Sequence, residues 1–260
     1  MSATNTLTTS TSHARASSGS LLWPILSALT ALALGAHLWA IYALTPEAQA
    51  AAGGLAQKIF YFHVPAAYSM YLAGTICFLG SCAYLVRATH GRNALAQAGA
   101  EAAVVFGAMV LTSGPLWAKK AWGVYWTWDP RLTTLLLSVM LYFAMVVLRR
   151  FSGDGEAERK FAAAFGVLGT VLLPVIHYSV RLWGGNHPTV VGKGGGGLSP
   201  AMLQTFLLGF VPMTLVCVLI VAVRARLALA QSRLADAEEL GAALGFVEGE
   251  APDYYETSDS

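Results

Sequence analysis

Charged side chains are scarce in this 260-residue chain, since they make up 12% of it, whereas hydrophobic residues make up 56%. Soluble domains carry about 25% charged residues. The composition therefore excludes a soluble enzyme or a soluble binding module and predicts an integral membrane protein. The net charge is only +2, and we expect membrane lipid, not nucleic acid, around the chain.

Cysteine is also rare. Cys77, Cys82 and Cys217 all lie inside apolar runs, and the sequence contains no Cys-x-x-Cys motif. This argues against a thioredoxin-like site and against covalent c-type attachment of haem to this chain. We predict that all three cysteines are small apolar packing residues.

Six long apolar runs account for most of the chain. A helix needs about 20 residues to cross roughly 30 Å of hydrocarbon, and in lipid the backbone must satisfy its own hydrogen bonds. We therefore predict an all-α integral membrane protein with six transmembrane helices. The runs lie near 21–44, 61–86, 101–118, 132–148, 161–181 and 201–223.

The segments outside these runs differ in composition. Residues 1–20 are rich in Ser, Thr and Ala and are predicted to be a disordered cytoplasmic tail, whereas 224–260 form an acidic cytoplasmic tail and 21–223 the membrane domain. A small-x-small pattern at 48–50 resembles the cleavage site of a signal peptide. The preceding apolar run is longer than the about 7–15 residues of such a peptide, so we interpret it as a membrane helix.

Lysine and arginine are distributed unequally between the connections. Ten of the sixteen fall on the side that holds both termini, among them the pairs Arg149–Arg150 and Arg224–Arg226 at helix ends. Because cytoplasmic connections carry the excess of basic residues, we predict that both termini are cytoplasmic. The connections after the first, third and fifth helices then face the periplasm.

The connection after the third helix holds four of the seven tryptophans within twelve residues: Trp117, Trp122, Trp126 and Trp128, followed by Asp129. One or two tryptophans at a membrane surface serve as interfacial anchors, and four exceed that need. The cluster therefore predicts a platform for a flat, apolar ligand. As alternatives, Trp117 and also Trp183, after the fifth helix, could be anchors only, and Asp129, which precedes a proline, could cap the fourth helix.

Two histidines lie on the same predicted face as these tryptophans. His63 begins the second helix, and His187 lies in the connection after the fifth. Two imidazoles can bind haem iron axially, and nearby cations can bind the propionates. We predict such a site, with His177 as the alternative second ligand. The cations on this face are Lys119, Lys120, Arg131 and Arg181.

Two further residues bear on the start of the second helix. Pro65 is predicted to lie in its first turn, where a missing N–H costs nothing, and to fix the direction of His63. His37 lies inside the first helix, where an ionisable side chain requires a partner. The sequence does not identify that partner.

The tryptophan motif resembles a known signature. Trp122-Gly-x-x-Trp126-x-Trp128-Asp129 is similar to the WWD motif of haem-handling proteins in cytochrome c maturation. The segment Phe-His63-Val-Pro-Ala-Ala, the six predicted spans and the chain length resemble the CcmC family. This resemblance covers the region from the first to the sixth helix.

The resemblance implies a haem-delivery function without catalytic turnover. CcmC proteins hold haem b at the periplasmic face of the bacterial inner membrane and pass it to the haem chaperone CcmE. They act with the ABC transporter subunits CcmA and CcmB and with the small membrane subunit CcmD. By this resemblance the iron ligands are His63 and His187, and the platform consists of Trp122, Trp126, Trp128 and Asp129.

The chain departs from the family pattern beside one ligand, and other functions are conceivable. Leu182 replaces a usual tryptophan, and Asn186 replaces the leucine before His187.

A haem lyase of the same superfamily, which attaches haem to apocytochrome, is the alternative function, although such enzymes are longer and have more spans. A membrane cytochrome b needs histidine pairs inside its helices, and a generic permease would leave the tryptophans unexplained.

Overall fold

All described residues lie in helices or in the short connections between them. The computed structural model describes residues 19–49, 53–151, 155–187 and 197–245. Within these residues, six helical segments are long and apolar enough to cross a membrane, which confirms the predicted fold class. The α-helices are α1 (Gly19–Trp39), α2 (Phe60–Val86), α3 (His90–Trp122), α4 (Pro130–Phe151), α5 (Glu156–Trp183), α6 (Pro200–Leu208) and α7 (Phe210–Ala243).

Helices α3 and α7 extend furthest beyond the apolar runs that predict them. Helix α3 exceeds the predicted 101–118 at both ends, and α7 continues to Ala243. Both extensions contain charged residues, so the apolar run stops while the backbone remains helical. The predicted N-terminal tail lies outside the described residues except for 19–20. The predicted C-terminal tail, 224–260, begins as the continuation of α7, and its residues 246–260 lie outside the described ones.

Helices α2 and α3 approach each other closely at glycines. A Cβ atom added to Gly80 would overlap the backbone of Ala96, and one added to Gly99 would overlap the backbone of Cys77. Small residues permit such contacts in membranes, where helices associate by close packing. Cys77 and Cys217 are buried and free, which agrees with the predicted packing role.

Hydrogen bonds from side-chain hydroxyl groups connect α4 to α5 and α5 to α2. Ser138 Oγ donates to the Gly169 carbonyl at 2.8 Å. Tyr142 Oη lies 2.8 Å from Thr170 Oγ1, which in turn donates to the Gly74 carbonyl at 2.9 Å. Three helices, α2, α4 and α5, are thereby fixed relative to one another.

Contacts near the chain ends identify the two faces of the bundle. The Arg226 guanidinium lies 4.4 Å from the ring centroid of Trp23, and His90 Nε2 lies 2.9 Å from Asp236 Oδ2. The N-terminal ends of α1 and α3 and the C-terminal part of α7 therefore share one face. The opposite face collects the starts of α2 and α4 and the ends of α3 and α5, which carry the predicted ligands.

Candidate functional site

A cavity of about 480 Å³ lies among these helix ends. This volume falls within the range of about 300–1,000 Å³ that is usual for ligand and cofactor sites. Helices α2, α3, α4 and α5 and the segments that follow α3 and α5 form its wall, so the fold brings together residues that are far apart in sequence. The predicted site residues that line it are His63, His187, His177, Trp117, Trp122, Trp126, Arg131 and Arg181.

His63 is half-buried in the cavity wall, near the start of α2. Its Nδ1 lies 2.9 Å from Ser113 Oγ on α3, and the Ser113 hydroxyl donates to the Met109 carbonyl at 2.6 Å. Gly114 leaves room for the ring, because a Cβ atom there would lie 3.1 Å from His63 Cε1. Helix α3 therefore holds the imidazole by a hydrogen bond and by a close backbone contact.

Pro65 does not lie in the first turn of a helix, and that prediction was wrong. A 3-10 helix, Gly54–Ile59, runs directly into α2, so Pro65 lies in the second α-helical turn. Its missing N–H leaves the Tyr61 carbonyl without a helical donor. His37 Nε2 lies 3.1 Å from that carbonyl oxygen and donates to it. This is the partner that the sequence could not identify.

His187 is held from α4. It lies just after α5, past Gly184, whose positive φ of 77° ends the helix. Arg131 Nη1 lies 3.1 Å from His187 Nδ1. The same guanidinium donates from Nε to the Ile176 carbonyl at 3.1 Å and from Nη2 to the His177 carbonyl at 2.9 Å. Arg131 thus connects the start of α4, the end of α5 and one predicted ligand.

Asp129 caps α4, as the alternative prediction proposed. The Leu132 amide donates to Asp129 Oδ1 at 2.9 Å, and the side chain is only 9% exposed. Asp129 does not line the cavity. It contacts the segment that carries His187, because a Cβ atom added to Gly185 would lie 3.6 Å from Asp129 Cγ. The structure therefore places Asp129 behind the cavity lining, in contact with the segment that carries His187.

The four clustered tryptophans do not form a single connection, and that prediction was wrong. Trp117 and Trp122 lie in the last turns of α3, which ends at Gly123 with φ 78°. Their rings pack edge to face with centroids 5.4 Å apart, and the rings of Trp126 and Trp128 do so at 5.8 Å. The sequence placed the end of α3 too early because Lys119 and Lys120 interrupt the apolar run, although the helix continues to Trp122.

Trp128 differs from the other three tryptophans. Its side chain is 76% exposed and does not line the cavity, whereas Trp117, Trp122 and Trp126 do. The indole Nε1 atoms of Trp117 and Trp126 are buried and have no hydrogen-bond partner among the described residues. The aromatic cluster therefore has an inner part against the cavity and an outer ring at the surface.

The four predicted cations also divide into two groups. Arg131 and Arg181 line the cavity, whereas Lys119 and Lys120 do not. The Lys119 ammonium donates to the Gly123 carbonyl at 2.9 Å and lies 5.3 Å from the Tyr125 ring centroid. Lys119 thus stabilises the end of α3, and the cavity draws its positive charge from the two arginines.

Comparison with known proteins agrees with these observations. Residues 4–239 match the model of the CcmC family, described as heme exporter protein C. The chain belongs to the CcmC family. The heme exporter protein C of Bradyrhizobium diazoefficiens is 33% identical over 204 residues, which cover 75% of this chain and 74% of the relative.

Other CcmC relatives match shorter stretches. The heme exporter protein C of Escherichia coli K12 is 35% identical over 138 residues, 52% of this chain and 55% of the relative. A putative cytochrome c biosynthesis ccmC-like mitochondrial protein of Marchantia polymorpha is 29% identical over 154 residues, 59% of this chain and 65% of the relative. Membership in CcmC places the chain among multi-pass membrane proteins of haem transport in cytochrome c biogenesis.

Proposed function

We propose that this protein binds haem b at the periplasmic face of the bacterial inner membrane and delivers it to the haem chaperone CcmE. One observation carries the proposal. His63 from α2 and His187 from the segment after α5 line the same cavity, together with three tryptophans. A cavity with two separated imidazoles and flat aromatic walls suits a planar, apolar metal complex.

The two histidines supply the axial ligands of the iron. Neutral imidazole is a strong haem ligand, and ligands from different elements can approach opposite faces of the ring. His177 also lines the cavity, with its ring centroid 4.9 Å from that of Tyr178. His187 is preferred because it is half-buried whereas His177 is exposed.

The remaining lining residues hold the porphyrin. Trp122 and Trp126 provide apolar contact area against the macrocycle, and the Arg181 guanidinium binds a propionate. Asp129 orients the segment behind His187, as its contact with Gly185 indicates.

Trp128 forms the docking surface for the chaperone. Its ring is the most exposed of the tryptophan cluster and lies next to the cavity lining in sequence and in space. Exposed aromatic side chains are favoured anchors of protein interfaces. The surface around Trp128 is therefore where CcmE approaches the loaded site.

The protein acts as a transport component without turnover of its own. We assign it to a complex with the ABC transporter subunits CcmA and CcmB and the small subunit CcmD, in which the transporter hydrolyses ATP. Both termini lie in the cytoplasm, which is supported by the basic pairs at the ends of α4 and in α7. The cavity, at the opposite face, then opens to the periplasmic side.

A transfer assay tests this function. The full-length chain, purified with its complex and loaded with haem, is mixed with CcmE, and covalent haem on CcmE is measured after denaturing electrophoresis. We expect loading by the wild type and none by His63→Ala. His90→Ala is the matched control, because His90 lies at the other face of the bundle. Normal loading by His63→Ala would overturn the proposal.

A further inference from the structure

The two proposed iron ligands make hydrogen bonds to partners of opposite character. His63 Nδ1 faces the Ser113 hydroxyl at 2.9 Å, whereas His187 Nδ1 faces the Arg131 guanidinium at 3.1 Å. A neutral imidazole carries one N–H group and one nitrogen lone pair. The partner at Nδ1 therefore determines which nitrogen atom can bind a metal ion.

The partner of His63 Nδ1 must accept a hydrogen bond. The Ser113 hydroxyl has a single hydrogen, and that hydrogen is directed to the Met109 carbonyl at 2.6 Å. Toward the imidazole, Ser113 Oγ can only accept, so His63 Nδ1 donates and its lone pair lies on Nε2. Metal-binding histidines commonly donate their second N–H in this way. His63 is thus arranged to bind iron through Nε2 without rearrangement.

The partner of His187 Nδ1 must donate a hydrogen bond. A guanidinium has five N–H donors and no acceptor, so His187 Nδ1 accepts and the ring N–H lies on Nε2. Two other bonds fix the fork of Arg131, one to the Ile176 carbonyl and one to the His177 carbonyl. The lone pair that iron requires is therefore engaged by a guanidinium that α5 holds in place.

We infer that the two ligands are unequal: His63, positioned by Ser113, stays on the iron, whereas His187 alternates between the iron and Arg131. This inference rests on the proposed function, because it assumes haem in the cavity. Arg131 is a positioning residue in this scheme. It receives His187 when the iron releases it.

Ligation at His187 then exchanges one bond for another. The hydrogen bond from Arg131 Nη1 breaks, and a ring nitrogen donates its lone pair to the iron. If Nδ1 binds, the ring proton stays on Nε2. If Nε2 binds, that proton moves to Nδ1 through water, so the imidazole is neutral before and after. No electron is transferred to or from the protein in either case.

This difference between the two ligands determines which iron–histidine bond breaks first during haem release. Transfer requires one axial position to open while the other still holds the ring. Since Arg131 stabilises the unbound His187, that position opens more readily than the His63 position. An incoming ligand, such as a side chain of an acceptor protein, therefore replaces His187 first.

Carbon monoxide binding tests the inference. In the reduced, haem-loaded full-length protein, carbon monoxide must replace one axial histidine. Its binding rate therefore reports the fraction of open iron sites that carbon monoxide occupies before the histidine returns. Without Arg131, the released His187 returns to the iron more often. We expect Arg131→Met to slow binding on the order of tenfold, the size expected for a charge-assisted hydrogen bond. Arg150→Met, at the other end of α4, is the matched control with unchanged kinetics.

A second measurement addresses Ser113 independently of Arg131. In a His187→Ala background, His63 is the single histidine ligand, and resonance Raman spectroscopy reports its iron–nitrogen stretch. We expect Ser113→Ala to lower this frequency, because the Nδ1–H bond that strengthens the ligand is lost. Ser113→Thr restores it. Thr112→Ala is the control, since among the described residues the exposed Thr112 hydroxyl bonds to its own helix alone, at the carbonyls of Ala108 and Met109.

The outcomes separate the two proposals. Faster or unchanged carbon monoxide binding in Arg131→Met, or an unchanged stretch in Ser113→Ala, would overturn the inequality of the ligands and leave the haem site intact. A haem spectrum that is the same in the wild type, His63→Ala and His187→Ala would overturn the proposed function and this inference with it.

Discussion

His37 Nε2 donates a hydrogen bond to the Tyr61 carbonyl at 3.1 Å, and Pro65 is the reason that this carbonyl is available. A proline in the second turn of α2 removes the N–H that would otherwise bond to Tyr61. The bond ties α1 to the turn that precedes His63. The Gly209 backbone closes over this contact, because a Cβ atom there would lie 2.8 Å from the His37 ring.

The first prediction follows from this relationship. His37→Phe leaves a buried carbonyl unsatisfied, which costs about 1–3 kcal/mol, and we expect a lower unfolding temperature and less bound haem. Pro65→Ala supplies an N–H to Tyr61, so His37→Phe should cost much less in that background. A double-mutant cycle of thermal unfolding in detergent measures this coupling.

The matched control is Thr30→Val. Thr30 is buried in α1 like His37, but its one hydrogen bond within the described part of the chain goes to the Leu26 carbonyl of its own helix, at 2.7 Å. We expect little loss of haem in this variant. Additive effects of the His37 and Pro65 substitutions would contradict the assigned hydrogen bond.

The second prediction concerns the space beside His63. Gly114→Ala places a Cβ atom 3.1 Å from His63 Cε1, so the ring must shift by a few tenths of an ångström. We expect reduced haem content per protein, measured as the pyridine haemochrome. Gly35→Ala is the control, because a Cβ atom there meets nothing within 4 Å. Equal haem content in the two variants would show that the position of the ring is not critical.

The third prediction distinguishes two roles of Asp129: its hydrogen bond at the start of α4 and the negative charge of its carboxylate. Asp129→Asn keeps an oxygen that can accept from the Leu132 amide, whereas Asp129→Ala removes it at a cost of about 1 kcal/mol. We expect normal haem content in Asp129→Asn and a loss of both haem and thermal stability in Asp129→Ala. If the Asn variant fails as severely as the Ala variant, the carboxylate charge itself is required.

The fourth prediction distinguishes the inner and outer tryptophans. Trp126 lines the cavity and Trp128 does not. We expect Trp126→Ala to lose haem, and Trp128→Ala to retain haem but to co-purify with less CcmE. Loss of haem in Trp128→Ala with unchanged chaperone association would reverse the proposed roles of the two rings.

The sequence predicts the spans well because lipid imposes a strong compositional constraint. The six apolar runs, the start of α2 near His63 and the cap at Asp129 all depend on local composition or local pattern. The end of α3 was misplaced because Lys119 and Lys120 break the apolar run but not the helix. One of them, Lys119, instead closes the helix end through the Gly123 carbonyl.

The contacts that define the site depend on the register between helices, which no local pattern reveals. Ser113 is one of two adjacent hydroxyl residues in α3, with Thr112, and only the packing of α2 against α3 places it beside His63. The bond between Arg131 and His187 likewise requires α4 and α5 to be docked. A small polar residue next to a glycine inside an apolar run, as at Ser113–Gly114, is the one sequence feature that could have suggested such a contact.

The most direct test of the haem site is the axial ligand set of the iron. Electron paramagnetic resonance of the ferric, haem-loaded protein distinguishes two histidine ligands from one. We expect the bis-histidine spectrum in the wild type and in His177→Ala, and its loss in both His63→Ala and His187→Ala. A bis-histidine spectrum that persists in His187→Ala and disappears in His177→Ala would contradict the assignment of the second ligand.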